Sequence, residues 1–454
     1  MYTKRLLALV GIPALVVSLS GCGIGGGGAD DQSRAGNCNI SEEVSSSEPL
    51  TGEPTGEITF QTTSLRQDFS EYFEGVIDAF EAEYPGTTVN WQDDPGDSSF
   101  TQRLVSDAQA CKLPDVVNLN QVTAYALRKA NFLMNLDQKA PGSGDKFVQS
   151  IWDSLLMPED TDHYVMPWYW GLLSIQTFNT DLMQKAGLDP SNPPSTIMEL
   201  IAAAKTVGEN SGGEFYAFPA NPHDRLPNDW QQMDAQITNE AQTEFTFASD
   251  PKVLAWLEGL IDLYESGALP KDTISTTEDV STLYQEGRIV WGSNNVSALR
   301  YVQEGNPQVY ETSDIAPLLD ARGTSLQTGQ LIGVSSTTKN PVAAAAFANF
   351  LLSVENQSAF ISDPRLQNFP STTESFQIPK LTNITGTDAL ARANRLAVEL
   401  AQEAENSFLY AWSDGVHTTV TSELQRAMTG EKSAQQALDD AQAAANDILK
   451  RAAQ

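Results

Sequence analysis

Four tryptophans, Trp168, Trp170, Trp230 and Trp412, are the residues of this chain best suited to non-covalent recognition, together with Ser64, Asp97, Asn120, Gln121, Asn294, Asn295, Gln330 and Arg365. An indole presents an apolar face and one N–H donor. Amides carry both a donor and an acceptor, and carboxylates two acceptor oxygens. The rest of the inventory argues against covalent chemistry. Asp93-Asp94 and Glu42-Glu43 are chain neighbours, and adjacency does not set two carboxylates on facing walls roughly 5–10 Å apart, as glycoside hydrolysis requires. No Gly-x-Ser-x-Gly elbow, phosphate loop or histidine-centred dyad occurs. His163, His223 and His417 lie far apart in the sequence, without metal-ligand spacing, so neither a metal nor a cofactor is expected.

The polar candidates share a position: each sits at the end of a segment that reads as a strand. Ser64 follows Ile58-Thr59-Phe60, Asp97 follows Thr88-Val89-Asn90-Trp91, and Asn120-Gln121 follow Asp115 to Leu119. Asn294-Asn295 follow Ile289-Val290-Trp291, and Gln330 precedes a late strand. Loops at strand ends are where open α/β sheets gather ligands, although each residue also suits a plain turn or helix cap. Between these strands run amphipathic helices. Phe69, Phe73, Val76, Ile77, Phe80 and Tyr84 recur at three- and four-residue intervals until Pro85-Gly86. Thr196 and Glu199 have capping-box spacing, and Asp250-Pro251 opens a helix that Gly267 closes. Alternating strands and helices indicate an α/β lobe around a largely parallel sheet.

The aromatics divide by context. Trp168-Tyr169-Trp170 suits a half-exposed wall, whereas strand alternation would send Trp168 and Trp170 to one face and Tyr169 to the other. Trp230 has polar neighbours that fit either stacking on a ligand or helix packing. Trp412, near Tyr410 and Asp414, is a rim candidate. Trp256 and Trp291 read as buried, and Trp91 and Trp152 as structural. Arg365 either reaches a cleft or pairs with surface acids.

A body of about 400 residues exceeds what one hydrophobic core usually supports, so two domains are expected. The formal charge of −32 argues against nucleic acid and against attraction to anionic lipid. At the start, Lys4 and Arg5 precede an apolar run from Leu6 to Val17 and then Leu19-Ser20-Gly21-Cys22. That is the pattern of an export signal over residues 1–21, and the run is short of the about 20 apolar residues that span a bilayer. Residues 22–56, glycine-rich and then polar and acidic, are expected to form a flexible tether. Cys38 and Cys111 form an even pair for an oxidising compartment, either one disulfide or two separate thiols.

Leu19-Ser20-Gly21-Cys22 resembles the bacterial lipobox, which implies lipidation of Cys22 and anchorage to the outer face of the cytoplasmic membrane. Further segments, taken in order, resemble the extracellular solute-binding lipoproteins of ABC importers, in the carbohydrate-binding group that includes maltose-binding protein. They are Phe80 to Val89, Leu113-Pro114-Asp115-Val116-Val117, Tyr164 to Trp168, Phe178 to Leu188 with Pro193-Pro194-Ser195-Thr196, Gly287 to Trp291, Thr328 to Pro341, and Gly430 to Leu438. The chain departs from the family pattern at Phe178, where a tyrosine is usual, and at Gly329-Gln330, where two glycines are usual. The resemblance implies a two-lobed α/β periplasmic-binding-protein-like fold with the ligand cleft between lobes joined by crossover segments. Lobe one would hold residues 57–168 and 318–362, and lobe two residues 169–317 and 363–454. It also implies a monomeric receptor that closes on a sugar, an oligosaccharide given the aromatics, and hands it to permease subunits. The alternatives are a receptor for a polyamine, an amino acid or a glycerol-phosphate-type solute, and then a secreted glycosidase.

Overall fold

The computed structural model describes residues 33–96, 99–276, 280–292, 296–320, 322–401 and 404–452. Cys22, Asp97, Asn294 and Asn295 therefore lie outside the described residues.

The described residues form eleven strands: β1 (Arg34–Ala35), β2 (Cys38–Asn39), β3 (Gly56–Thr63), β4 (Thr87–Asp94), β5 (Val116–Leu119), β6 (Val165–Leu172), β7 (Ile175–Asn179), β8 (Ser313–Pro317), β9 (Leu326–Val334), β10 (Phe369–Pro370) and β11 (Glu405–Asn406). The main sheet runs β10-β6-β9-β5-β3-β4, with β11 on β9. Strands β4, β3 and β5 are mutually parallel, while β9 lies antiparallel between β5 and β6. The alternating β/α pattern of residues 56–119 dictates the parallel part, because each return helix covers a sheet face. The helix Arg66–Glu83 does so by burying Phe69, Phe73, Val76, Ile77 and Phe80.

A second core surrounds the antiparallel pair β7-β8. Its helices follow the expected local signals. Asp250 caps Pro251–Ser266 by accepting from the Lys252 N–H, and Gly267 ends it at φ 78°, a conformation glycine adopts without Cβ strain. Thr196 caps Ile197–Asn210 through the Glu199 N–H, while the Glu199 carboxylate accepts from the N–H and hydroxyl of Ser195. The chain crosses between cores from β6 into β7, from β8 into β9, and again near residues 404–411, where Tyr410 joins the first core and Trp412 the second. The result is the two-lobed α/β architecture expected.

Two boundaries differ from expectation. The chain is not a free tether up to residue 56: from Ser33 it is folded against the first lobe. Ala35, Cys38 and Val44 are buried, and a disulfide joins Cys38 to Cys111. Lys139 donates to the carbonyls of Glu43 and Glu48 and to the Ser46 hydroxyl. A crosslink and a buried cation satisfying loop carbonyls substitute for the apolar area this polar segment lacks. Likewise, residues after 363 do not all go to the second lobe, because Phe369 and Pro370 pair with Trp170 and Tyr169 on the edge of the main sheet.

Candidate functional site

The C-terminal ends of β5 and β6 and the middle of β9 meet at a cavity of about 520 Å³, within the usual range for small-molecule sites. Its floor is Tyr169, Gly171, Leu172 and Leu173 on β6 and its exit, with Thr328, Gly329 and Gln330 on β9. One wall is Asn120, Gln121 and Val122. The opposite wall is Ser281, on the helix Val280–Gln285, and Ala298 and Tyr301, on the helix Val296–Gly305, with Asn368 at the side. Gly171 makes this shape possible: a Cβ there would come within 3.3 Å of the Asn368 amide nitrogen.

The polar groups are held in fixed orientations. Asn120 caps the helix Gln121–Lys129, its Oδ1 accepting from the Thr123 N–H at 2.8 Å, so its amide N–H groups are the free edge. Asn118, wholly buried, donates from Nδ2 to the Leu331 carbonyl (3.4 Å) and to Gln330 Oε1 (2.9 Å). A carbonyl can only accept, so the Leu331 contact fixes which end of Asn118 carries hydrogens. Gln330 is thereby left with Nε2, a donor, for the cavity. Gln121 Oε1 and Asn118 Oδ1 are buried acceptors without partners among the described residues, and such groups cost about 1–3 kcal/mol each when unsatisfied. The aromatic surfaces are Tyr169 and the half-exposed Tyr301. Among the described lining residues there is no Asp, Glu, Lys, Arg or His.

Of the residues singled out from sequence, Asn120, Gln121 and Gln330 come together here. The tryptophans do not. Trp168 and Trp170 are 1% and 0% exposed: β6 runs between β10 and β9, and its pairing with β9 shifts register between Pro167 and Trp170. Trp168 stacks on Phe360, and Trp170 lies against Gly329 on one side and Phe408 on the other. Trp230, 0% exposed, packs edge-on to Trp256 and Trp412. Trp412 is buried as well, its Nε1 donating to His417 Nδ1 at 3.0 Å. Ser64 is exposed and donates to the Pro95 carbonyl. Arg365 is fixed in a two-point pair with Asp363 and lies over the Phe69 ring. The residues that sequence reading missed are Tyr169, Asn118, Asn368 and Tyr301. Tyr169 was legible in principle, as the member of the aromatic triplet that alternation sends to the other face.

The histidines also differ from their sequence spacing. His417 Nε2 and His223 Nδ1 are 2.8 Å apart, and burial, then the neighbouring imidazole, holds His417 down to about 4. His163 is elsewhere, bonded to Asp137. No group of three or more metal-binding side chains occurs among the described residues.

This arrangement, two α/β lobes with a neutral cavity on the strands that lead from one to the other, is that of a solute-binding protein. The sequence profile of bacterial extracellular solute-binding proteins matches residues 64–358, and the chain belongs to that family, whose members bind and release solutes rather than turn them over. Among solved structures it is similar to a candidate oligosaccharide periplasmic-binding protein from Synechococcus sp. MITs9220 (24% identity, 87% of this chain and 99% of that one, TM-score 0.75). It is also similar to the sugar-binding protein MalE from Xanthomonas citri (18%, 87% and 98%, TM-score 0.70). A third is the cyclic alpha-maltosyl-1,6-maltose binding protein from Arthrobacter globiformis (20%, 87% and 100%, TM-score 0.69). A candidate binding protein of Brucella abortus (strain 2308) is 30% identical over 165 residues, a match spanning 36% of this chain and 38% of that protein. No helix among the described residues is long and apolar enough to cross a membrane.

Proposed function

We propose that this protein captures a neutral carbohydrate, an oligosaccharide, in the cavity of Asn120, Gln121, Tyr169, Tyr301 and Gln330, and delivers it to the permease of an ABC importer. The observation that carries this reading is the cavity's chemistry: amides and hydroxyls of fixed polarity beside two tyrosine faces, with no charged side chain among the described lining residues. Sugar hydroxyls both donate and accept, matching Gln121 Oε1 and Gln330 Nε2 together, and sugar ring faces stack on tyrosine. A polyamine would need carboxylates at the cavity, and a phosphate ester or amino acid would need a cation. The maltose- and oligosaccharide-binding names of the structural neighbours support the same reading.

Capture follows from the lobes. A ligand that makes more contacts in the closed state than in the open one stabilises the closed state, and the permease responds to that state. The lipobox at Cys22 supports anchorage of the monomer to the outer face of the cytoplasmic membrane, and mass spectrometry of the mature protein reads the acylation directly. The test of ligand class is thermal unfolding against maltose, maltotriose, cyclic and branched glucans, spermidine, amino acids and glycerol phosphate. A ligand at 100 times its Kd adds about 2.7 kcal/mol. Stabilisation by one saccharide class, reduced to about half in Gln330→Leu at the same ligand concentration, is expected. Silence across saccharides with a response to a charged solute that Gln330→Leu abolishes would overturn it.

A further inference from the structure

A second cavity, of about 470 Å³, opens where the lobes meet the segment Asn406 to Tyr410. It shares no lining residue with the first. The first lobe contributes Ser154, Leu156, Pro158 and Glu159, the second Glu240, Ala241 and Gln242, and the connecting segment Asn406, Phe408 and Tyr410. These are not loose surfaces. Asn406 Nδ2 donates to the Ser154 hydroxyl, and the Gln242 amide spans the segment by donating to the Phe408 carbonyl and accepting from the Ala411 N–H.

We infer that this cavity is a second binding site, for an organic cation: a primary ammonium carried on a short apolar or aromatic body. Three observations converge. Tyr410 is 5% exposed, yet its hydroxyl has no partner among the described residues, and the Asn406 Oδ1 acceptor is likewise buried and unpartnered. An ammonium brings three donors and no acceptor, which is the complement of orphaned acceptors. The charged groups lining the cavity are two carboxylates, Glu159 and Glu240. Glu240 has no ion-pair partner among the described residues. Glu159 meets Lys129 at 3.2 Å in a pair exposed at both ends, which screening makes weak and an incoming cation displaces. The walls complete the match: Phe408 and Tyr410 present aromatic surface for a cation, and Leu156, 40% exposed, and Pro158 accept an apolar body.

The test is isothermal titration of the folded protein with phenethylamine and cadaverine at physiological salt, where diffuse attraction to a chain of charge −32 is screened. One saturable site is expected, weakened at least fivefold in Glu240→Gln and in Tyr410→Phe. The site should be unchanged in Gln330→Leu, in the first cavity, and in Glu265→Gln, an exposed acid on the helix Pro251–Ser266. Absence of saturable binding overturns the inference, as does equal weakening by Glu265→Gln, which would mark diffuse attraction. Binding of a neutral sugar that Tyr410→Phe abolishes and Gln330→Leu spares would overturn it too, by making this cavity the saccharide site. Failure of the saccharide reading is seen separately, as no response of the first cavity to sugars.

Discussion

The two cavities at the lobe junction are close in size, about 520 and 470 Å³, and opposite in chemistry. One has no charged lining residue among those described, while the other carries two carboxylates and two orphaned acceptors. One indole touches the lining of both: Gly329 of the first cavity packs on Trp170, and Trp170 packs on Phe408 of the second. Size therefore says little about occupant, and the polarity of a few fixed groups says most. The partition itself is the part easiest to break. A Cβ at Gly329 would overlap the Trp170 six-membered ring, and Trp170 is itself wholly buried. Gly329→Ala is expected to destabilise the fold by about 3 kcal/mol, in the range of core overpacking, and to weaken ligand binding in both cavities. Chemical denaturation with titration at each site checks this; an unchanged midpoint would mean the indole is loosely held.

A region touching neither cavity sharpens the contrast. His417 is held neutral between Trp412 and His223, with its folded pKa lowered from 6.5 to about 4. The unfolded chain therefore binds a proton that the folded chain refuses as pH falls through 6.5. Stability is lost progressively from pH 6.5 down to about 4, and no further below. Allowing for partial solvent screening, the loss is about 2 kcal/mol by pH 4.5. His417→Gln should flatten that part of the stability profile, measured as the melting temperature of variant against parent between pH 7 and 4.5. Parallel profiles for the two proteins would refute the assignment.

Within the first cavity the comparison turns on one amide. Gln330→Leu removes the oriented donor and should cost about tenfold in saccharide affinity, roughly 1.4 kcal/mol, while leaving the second site untouched. Asn118→Leu acts one step back. It frees the Gln330 amide to turn, so affinity should fall less than in Gln330→Leu, and discrimination between a sugar and its deoxy analogue should narrow. Titration of the parent and both variants with the sugar and its deoxy analogue reads this, and equal losses for both would make Asn118 purely structural.

The β/α alternation, the caps at Asp250 and Thr196 and the strand-end positions of Asn120 and Gln121 were legible because they are local: periodicity, turn chemistry and short-range spacing carry them; Gln330, expected ahead of a strand, lies in the middle of Leu326–Val334. What was not legible depended on partners distant in the chain. Whether Trp168 and Trp170 face water depends on β9 and β10 flanking β6, more than 150 residues later. The anchoring of residues 33–55 depends on Cys111 and Lys139. The nearness of His223 to His417 spans 194 positions. Asn118 was passed over because its role lies in the orientation of a neighbour on another strand. Tyr301 was passed over because its helix side reads as ordinary surface.

Arg365 gives the smallest expected effect and the cleanest negative. Its sequence context allowed either a cleft contact or a surface pair, and the structure places it in the second role, bonded at two points to Asp363 over the Phe69 ring. Its side chain is 47% exposed, so the pair is screened and its contribution falls within the error of a midpoint measurement. Arg365→Ala should therefore shift the unfolding midpoint by no more than that, and leave both saccharide and amine titrations at their parent values. A fivefold loss of saccharide affinity in this variant would instead bring Arg365 to the first cavity on lobe closure, and a charged contact there would end the contrast between a neutral cavity and an acidic one.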